Sequence, residues 1–190
     1  MRIVKIIIPC LLLGACVFGK SQNAKFYTQF AVAANAVAAD YTDSIGINRI
    51  QLPKYVERPQ IVTQVKDSAQ MNISEYNRWV EFPSVLATRA VTEDLSSLLP
   101  AAQVKMNSLK GEKFDKTITI EISRMNAVLG EKAEIVAWYT LKDNSGKVLA
   151  HQKFTDMVLI GKTYDDLAQG YSQLLAHLSR TLADVLLQNK

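Results

Sequence analysis

The segment at residues 117–123 constrains the fold more than any other, because an isoleucine stands at every second position of Thr-Ile-Thr-Ile-Glu-Ile-Ser. Successive side chains of a β-strand point to opposite faces of a sheet, so the isoleucines share one face and the polar residues share the other. Such a strand is stable only when a second layer covers its apolar face. The chain is therefore predicted to build a sheet that is covered on at least one side.

Two further strands are predicted immediately after this segment, at residues 134–141 and 147–157. Between them lies the sequence Asp-Asn-Ser-Gly at 143–146, and all of these residue types favour tight turns. The pattern is typical of a β-hairpin, so an antiparallel meander is expected late in the chain. Shorter strands are predicted at residues 26–30, 45–52, 60–65, 71–74 and 103–107, with those at 60–65 and 71–74 forming a hairpin.

Two stretches of the first half allow more than one interpretation. In the strand at 45–52 the apolar positions change phase between Ile47 and Ile50, which indicates either a bulge or burial of both faces. The Ala-rich residues 31–39 fit a helical turn as well as a loop.

Two amphipathic patterns predict helices that cover the sheet. The longer helix spans about 164–188, and Thr163 with Asp166 resembles a capping box at its start. The shorter helix follows Ser84, which is predicted as its N-cap, and Pro100 closes it. The apolar stripes are Leu167, Tyr171, Leu174, Leu178, Leu182 and Val185 in the longer helix and Ala87, Val91, Leu95 and Leu98 in the shorter. These elements predict an α/β fold: a mixed β-sheet with helices packed on it, a late antiparallel meander and a long C-terminal helix.

The N-terminus follows a different pattern. Arg2 and Lys5 precede an apolar run at 6–13, a layout typical of a secretory signal and too short to span a bilayer core about 30 Å thick. The run ends in Leu-Gly-Ala-Cys at 13–16, which resembles the bacterial lipobox, whose cysteine is lipidated and becomes the first mature residue. An ordinary signal with a chance cysteine is the alternative. We predict a signal peptide at 1–15, an acylated Cys16 with a tether at 16–25, and a single domain at 26–190.

Acyl chains on Cys16 would hold the domain at a membrane, since each buried methylene contributes about 0.8 kcal/mol. Val17, not Asp, follows the cysteine, and by resemblance to enterobacterial sorting patterns this favours the outer membrane. Cys10 leaves with the signal, so the mature chain has neither a free thiol nor a disulfide. The net charge is +4, of which Arg2 and Lys5 supply two, and the remaining +2 gives no reason to expect nucleic acid as a partner.

No constellation of catalytic or metal-binding residues is evident. His151 and His177 are the only histidines; we expect the first to be a hydrogen-bonded sheet histidine and the second to be solvated. Because the mature domain has no cysteine, the two cannot form a His/Cys zinc site. Asp165 and Asp166 suit a helix N-terminus, where the dipole and capping explain a carboxylate pair. No nucleophile elbow, phosphate loop or dinucleotide fingerprint appears, so we predict no catalytic residue, metal or cofactor.

A further signal comes from segments spread over nearly all of the mature chain, of which residues 53–62 and the pair Arg78-Trp79 are the most specific. The matching positions are 26–28, 45–47, 52–53, Tyr55, 58–62, 75–79, the helix at 88–99 and the closing helix. In these residues the chain resembles the ABC-type transport auxiliary lipoprotein family, the PqiC-like lipoproteins. It departs from the family pattern at Phe82-Pro83 and in the Ala-rich residues 31–39.

The resemblance implies a non-enzymatic accessory lipoprotein on the periplasmic side of the outer membrane. Such a protein works with an MCE-domain protein, which bridges the envelope and moves lipid or other hydrophobic solutes between membranes. A periplasmic hydrolase and a structural lipoprotein of another envelope machine are the alternatives. A hydrolase would need a nucleophile or base within about 3 Å of its catalytic partner.

Partner contacts are predicted in two segments. Two prolines stiffen residues 52–62 and lower the entropy lost on binding. The spacing of Tyr76, Trp79 and Phe82 fits either a segment that covers the core or an aromatic anchor for a partner. An open sheet edge could accept a strand from a partner, unless self-association into a homo-oligomer closes it. The predicted partner-binding residues are Leu52, Pro53, Tyr55, Arg58, Pro59, Tyr76, Arg78 and Trp79.

Overall fold

The computed structural model describes residues 22–33, 35–108 and 111–190. The predicted signal peptide, Cys16 and most of the tether lie outside the described residues. The strands are β1 Lys25–Tyr27, β2 Ser44–Ile47, β3 Gln60–Gln64, β4 Met71–Trp79, β5 Gln103–Met106, β6 Lys116–Val128, β7 Lys132–Asp143 and β8 Val148–Leu159. The helices are α1 Pro83–Leu98 and α2 Tyr164–Gln188.

The larger of the two sheets has the strand order β5-β2-β6-β7-β8. The strands β6, β7 and β8 pair antiparallel in chain order, whereas β2 pairs parallel with both β5 and β6. The predicted meander is confirmed, although its strands run longer than the sequence pattern indicated. Ile118, Ile120 and Ile122 are each no more than 1% exposed, as their period of two predicts. At the turn between β7 and β8, Gly146 has a φ of 84°, which glycine adopts without steric cost.

The smaller sheet has the order β1-β4-β3. The strands β3 and β4 form the predicted antiparallel hairpin, but β4 continues past the predicted end at Ser74 as far as Trp79. It does so through an irregular register, which a period-two pattern does not reveal. The strand β1 pairs parallel with the far end of β4, so that Tyr27 lies opposite Trp79.

The chain leaves this sheet after β1, because its next backbone donors bind the helices. The N–H of Phe30 donates to Ser172 Oγ at 3.2 Å, and the N–H groups of Val32 and Ala33 both donate to Asp94 Oδ1 at 2.7 Å. The predicted strand at 26–30 is therefore shorter than expected. The described part of 31–39 contains no helix and is a loop.

The predicted strand at 45–52 is also shorter than expected. The phase change between Ile47 and Ile50 marks the point where the chain leaves β2, and both side chains are buried. Beyond this point, the N–H of Ile50 donates to Thr88 Oγ1 at 2.9 Å and not to a backbone carbonyl of a neighbouring strand. Pairing returns only as an isolated parallel bridge between Gln51 and Glu121.

The longer helix α2 has the predicted bounds and capping box. The N–H of Asp166 donates to Thr163 Oγ1 at 3.1 Å, and the N–H of Thr163 donates to Asp166 Oδ2 at 2.9 Å. The prediction that Ser84 is the N-cap of α1 was wrong, because α1 begins at Pro83, whose fixed φ suits the first helical position. The Ser84 N–H donates to Glu57 Oε2 at 3.2 Å, so a carboxylate from another segment caps this helix.

The two helices lie side by side against one face of the larger sheet, and their apolar stripes join its buried residues in a single core. The opposite face of the meander is open to solvent, where Trp138 is 41% exposed. This mixed arrangement of sheets and helices confirms the predicted α/β fold class. In the described ranges, no helix combines the length and the apolar character needed to cross a membrane.

Candidate partner-binding surface

The two segments predicted to bind a partner are adjacent in the fold. The N–H of Trp79 donates to the C=O of Pro59 at 2.7 Å, and Gln60 pairs with Arg78 between β3 and β4. The resemblance and the aromatic spacing thus singled out residues that are distant in sequence but form one region.

Two of the eight predicted residues, Tyr55 and Trp79, make contacts inside the protein. Trp79 is 5% exposed, and its ring centroid lies 6.4 Å from that of Tyr171 in α2, where burial raises the pKa of the Tyr171 hydroxyl. The Tyr55 hydroxyl donates to Asn126 Oδ1 at 2.6 Å and accepts the N–H of Met125 at 3.2 Å, which ties the segment to β6. Both aromatic residues therefore have a structural role, and their contact with a partner stays a prediction.

The other members of the set lie closer to solvent. Tyr76 is 44% exposed. The C=O of Pro53 accepts the N–H groups of Val56 and Glu57 at 3.1 and 3.2 Å, so this part of the segment is a turn. The Nε of Arg58 is buried and has no hydrogen-bond partner among the described residues. Leu52, Pro59 and Arg78 are half-buried.

A cluster of polar side chains joins this segment to the start of α1. Glu57 Oε1 accepts the Ser84 hydroxyl at 2.6 Å and lies 3.3 Å from Arg49 Nη2. Arg49 also donates to Ser84 Oγ from Nη2 at 2.7 Å and from Nε at 2.9 Å. No local pattern indicates this cluster, because its members come from three separate segments. It fixes the exit of the 52–59 turn against the helix layer.

The longest strand edge is that of β8, whose 12 residues pair only with β7 in the part of the chain that the structure describes. The N–H of Met157 donates to Asp156 Oδ1 at 2.8 Å instead of to β7. Because donor direction alternates along a strand, the N–H groups of Thr155 and Lys153 also face the open side. The other Asp156 oxygen lies 2.6 Å from His177 Nδ1 on α2. Asp156 therefore covers one end of the edge, while Thr155 and Lys153 present donors beyond it.

The two histidines have separate partners in the fold. The His151 ring stacks on Trp138 with centroids 5.1 Å apart, and its Nδ1 lies 3.0 Å from Thr140 Oγ1, which is the hydrogen-bonded sheet histidine expected. His177 is exposed as expected, but its pairing with Asp156 was not predicted. Among the described residues, no hydroxyl bonds to the His177 ring and no cluster of His, Cys, Asp and Glu could hold a metal.

A family model matches most of this architecture. The model is that of the ABC-type transport auxiliary lipoprotein component, and it matches residues 28–183. The chain belongs to this family. The match includes β2 to β8, α1, most of α2 and both predicted partner-binding segments. It confirms the family recognised from the sequence and assigns the chain an accessory role in transport.

Two solved structures share the fold of this auxiliary lipoprotein. One is the crystal structure of an uncharacterized protein, with a TM-score of 0.71, 18% identity, and coverage of 87% of this chain and 99% of that chain. The other is a DUF330 protein from Xanthomonas campestris, with a TM-score of 0.71, 14% identity, and coverage of 87% and 98%. At such identities the likeness concerns the fold alone. No curated protein matches the auxiliary lipoprotein in sequence.

Proposed function

We propose that this auxiliary lipoprotein is a non-catalytic accessory subunit of an MCE-type ABC system that moves lipid between the membranes of the envelope. Acyl chains on Cys16 would hold it in the outer membrane, with the domain in the periplasm. The observation that carries the proposal is the family match over residues 28–183, and the N-terminal sequence, which resembles a secretory signal ending in a lipobox, supports it. A subunit of this kind needs binding surfaces more than reactive groups.

The anchor is tested by replacing the cysteine. We expect Cys16→Ser to appear in the soluble periplasmic fraction as a folded protein, because the substitution removes the thiol to which the proposed acyl chain would be attached. Cys10→Ser is the matched control: it lies in the predicted signal, so the mature protein should still float with outer membranes. If Cys16→Ser also floats with them, the acyl anchor is not what holds the domain there.

For the MCE-domain partner, the edge of β8 is a suitable binding site. An extended segment can add to such an edge, with main-chain hydrogen bonds for affinity and side-chain pockets for specificity. The strand offers outward N–H groups at Thr155 and Lys153, and the neighbouring sheet face carries the exposed Trp138. Alternatively, the β8 edges of two copies of this protein could pair with each other.

Thr155→Pro tests this site because proline removes a donor on the open side and leaves the pairing with β7 in place. Thr155→Val is the control, since it changes the side chain and keeps the N–H. We expect crosslinking to the MCE protein in intact envelopes to fall for the proline variant only, at similar melting temperatures. Equal crosslinking of both variants would exclude the β8 edge as the binding site of the MCE protein. If the proline variant instead loses a homo-oligomer and keeps the MCE contact, the edge serves self-association.

The segment predicted from the sequence is a second candidate surface for the same partner. Tyr76 is the most exposed aromatic residue among the eight predicted partner-binding residues, so Tyr76→Ala should reduce capture of the MCE protein without changing the melting temperature. Tyr55→Phe serves as the comparison, because it removes internal hydrogen bonds and should change stability more than capture. If Tyr76→Ala captures the partner as well as the wild type does, this segment is structural.

A further inference from the structure

One face of the smaller sheet exposes large apolar side chains at the start of the described chain. Phe26 in β1 lies opposite Arg78 in β4, and Val80 follows two residues later, so the three share a face. The opposite face carries Trp79, which contacts Tyr171 of α2. The face with Phe26 is therefore the one turned away from the helix layer.

Four side chains on or next to this face are unusually exposed for their size. Phe26 is 61% exposed, Val80 51%, Phe82 50% and Tyr76 44%. The pairing with β1 continues beyond β4, since the N–H of Val80 donates to the C=O of Tyr27 at 2.9 Å, which keeps Val80 close to Phe26. Single exposed apolar residues are ordinary, but a contiguous group marks a contact surface. We call Phe26, Val80 and Phe82 the basal patch; Tyr76 lies beside it on β4 and remains part of the candidate partner surface.

The charges around the basal patch suit a phospholipid surface. Glu81 forms an ion pair with Arg89 at 2.7 Å and so adds no net charge. Lys25 and Arg78 are positive, and Glu75 is the remaining carboxylate of β4, so the surroundings are slightly positive. Tyrosine and arginine suit the headgroup region, because each combines an apolar body with a polar end that reaches water.

The position of the patch relative to Cys16 selects the bilayer as its occupant. Eight residues separate Cys16 from Lys25, and at about 3.3 Å per residue they span at most roughly 30 Å. Phe26 is the second residue of β1, so the patch lies where the chain arrives from the anchor. A short tether keeps the effective concentration of the bilayer high at this surface. A protein partner has no such covalent constraint.

We propose that the basal patch rests on the periplasmic surface of the phospholipid bilayer, with Phe26, Val80 and Phe82 in the headgroup region. The proposal depends on the proposed function, because it requires the acyl anchor on Cys16. Such a contact gives the tethered domain a fixed orientation, with α2 and the larger sheet held away from the lipid by the small sheet.

A matched pair of labelled cysteines tests this orientation. Val80 and Val148 are 51% and 50% exposed, and Val148 begins β8 in the other sheet. The mature lipidated chain has no other free thiol, so Val80→Cys and Val148→Cys can each carry one polarity-sensitive NBD dye. Both proteins, purified with their acyl chains, are placed in vesicles of phosphatidylethanolamine and phosphatidylglycerol with and without brominated lipid. Flotation and thermal melts show that each is bound and folded.

We expect a blue shift and quenching by brominated lipid at position 80, and neither at position 148. Equal spectra at the two positions in floated vesicles would overturn the proposal while leaving the anchor intact. A change at position 80 that requires added MCE protein would also overturn it and would make the patch a partner surface. If the acylated protein does not float at all, the proposed anchoring fails, and the orientation fails with it.

Discussion

Replacement of Asp94 tests how the helices hold the segment that follows β1. In the wild type, Oδ1 of this buried residue accepts the N–H groups of Val32 and Ala33 at 2.7 Å each. Asp94→Ala leaves both donors without that acceptor, and a buried donor without a partner costs about 1–3 kcal/mol. Because both bonds are only partly buried, the lower part of that range applies, and we expect a loss of about 2–3 kcal/mol in total.

Asp94→Asn separates hydrogen bonding from charge. Asparagine keeps an acceptor at the Oδ1 position, and its amide group would face Ser179 Oγ, which lies 3.4 Å from Oδ2 in the wild type. We therefore expect a loss below about 1 kcal/mol. Burial raises the pKa of Asp94 above its ordinary value of 3.8, although the two N–H bonds act in the opposite direction. The native state then holds the proton more tightly than the unfolded chain, so lowering the pH from the raised pKa toward 3.8 should stabilise the wild type relative to Asp94→Asn.

Urea denaturation of the Cys16→Ser protein measures the loss of stability and its pH dependence, near neutral pH and then in steps toward the ordinary carboxyl pKa. The alanine variant, about 2 kcal/mol less stable than the asparagine variant, should also melt about 4–8 °C below it, given the size of the domain. Equal stabilities for the two variants would refute the view that hydrogen bonds to Asp94 hold the segment. Parallel pH dependences for the wild type and Asp94→Asn would refute the raised pKa.

Three other changes have defined outcomes. Trp79→Ala should lower the free energy of unfolding by about 3–5 kcal/mol through the cavity it leaves beside α2, and an unchanged melting curve with lost partner capture would instead assign Trp79 to an interface. Gly46→Ala should cost about 1–3 kcal/mol, because the new Cβ would clash with the Phe114 ring; adding Phe114→Leu should recover part of the loss, and a double-mutant cycle with no coupling would contradict this contact. The double variant His151→Ala, His177→Ala should fold and retain transport-linked function, and a folded protein without that function would require a chemical role for one of the rings.

The parts of the fold that sequence patterns predicted are those determined by local chemistry. The alternating isoleucines, the turn before Gly146 and the capping box at Thr163 each specify their element within a few residues. The start of α1 was misplaced because its capping carboxylate, Glu57, is 27 residues from Ser84. The parallel pairing of β2 between β5 and β6 is likewise a long-range arrangement that no short pattern encodes.

Only part of the candidate partner-binding surface could likewise be predicted from the sequence. The family resemblance identified Tyr55 and Trp79, but it could not distinguish a residue that stabilises the fold from one that contacts a partner, and both have internal contacts. Exposure at Tyr76 and the outward donors of β8 depend on an irregular register and on sheet order, so they became visible only in the fold.

The way β1 joins the domain also determines how the protein bears mechanical load. Any pull from an anchor at Cys16 reaches the domain at Lys25, where only three residue pairs connect β1 to β4. Behind them, Asp94 and Ser172 fasten the following loop to both helices. Under tension the short strand β1 should detach first. The extended tether would then lengthen by roughly 15 Å, while the bonds to the helices keep the core folded. The bonds of Asp94 and Ser172 to this loop, and not the pairing of β1, would then determine the force at which the core begins to unfold.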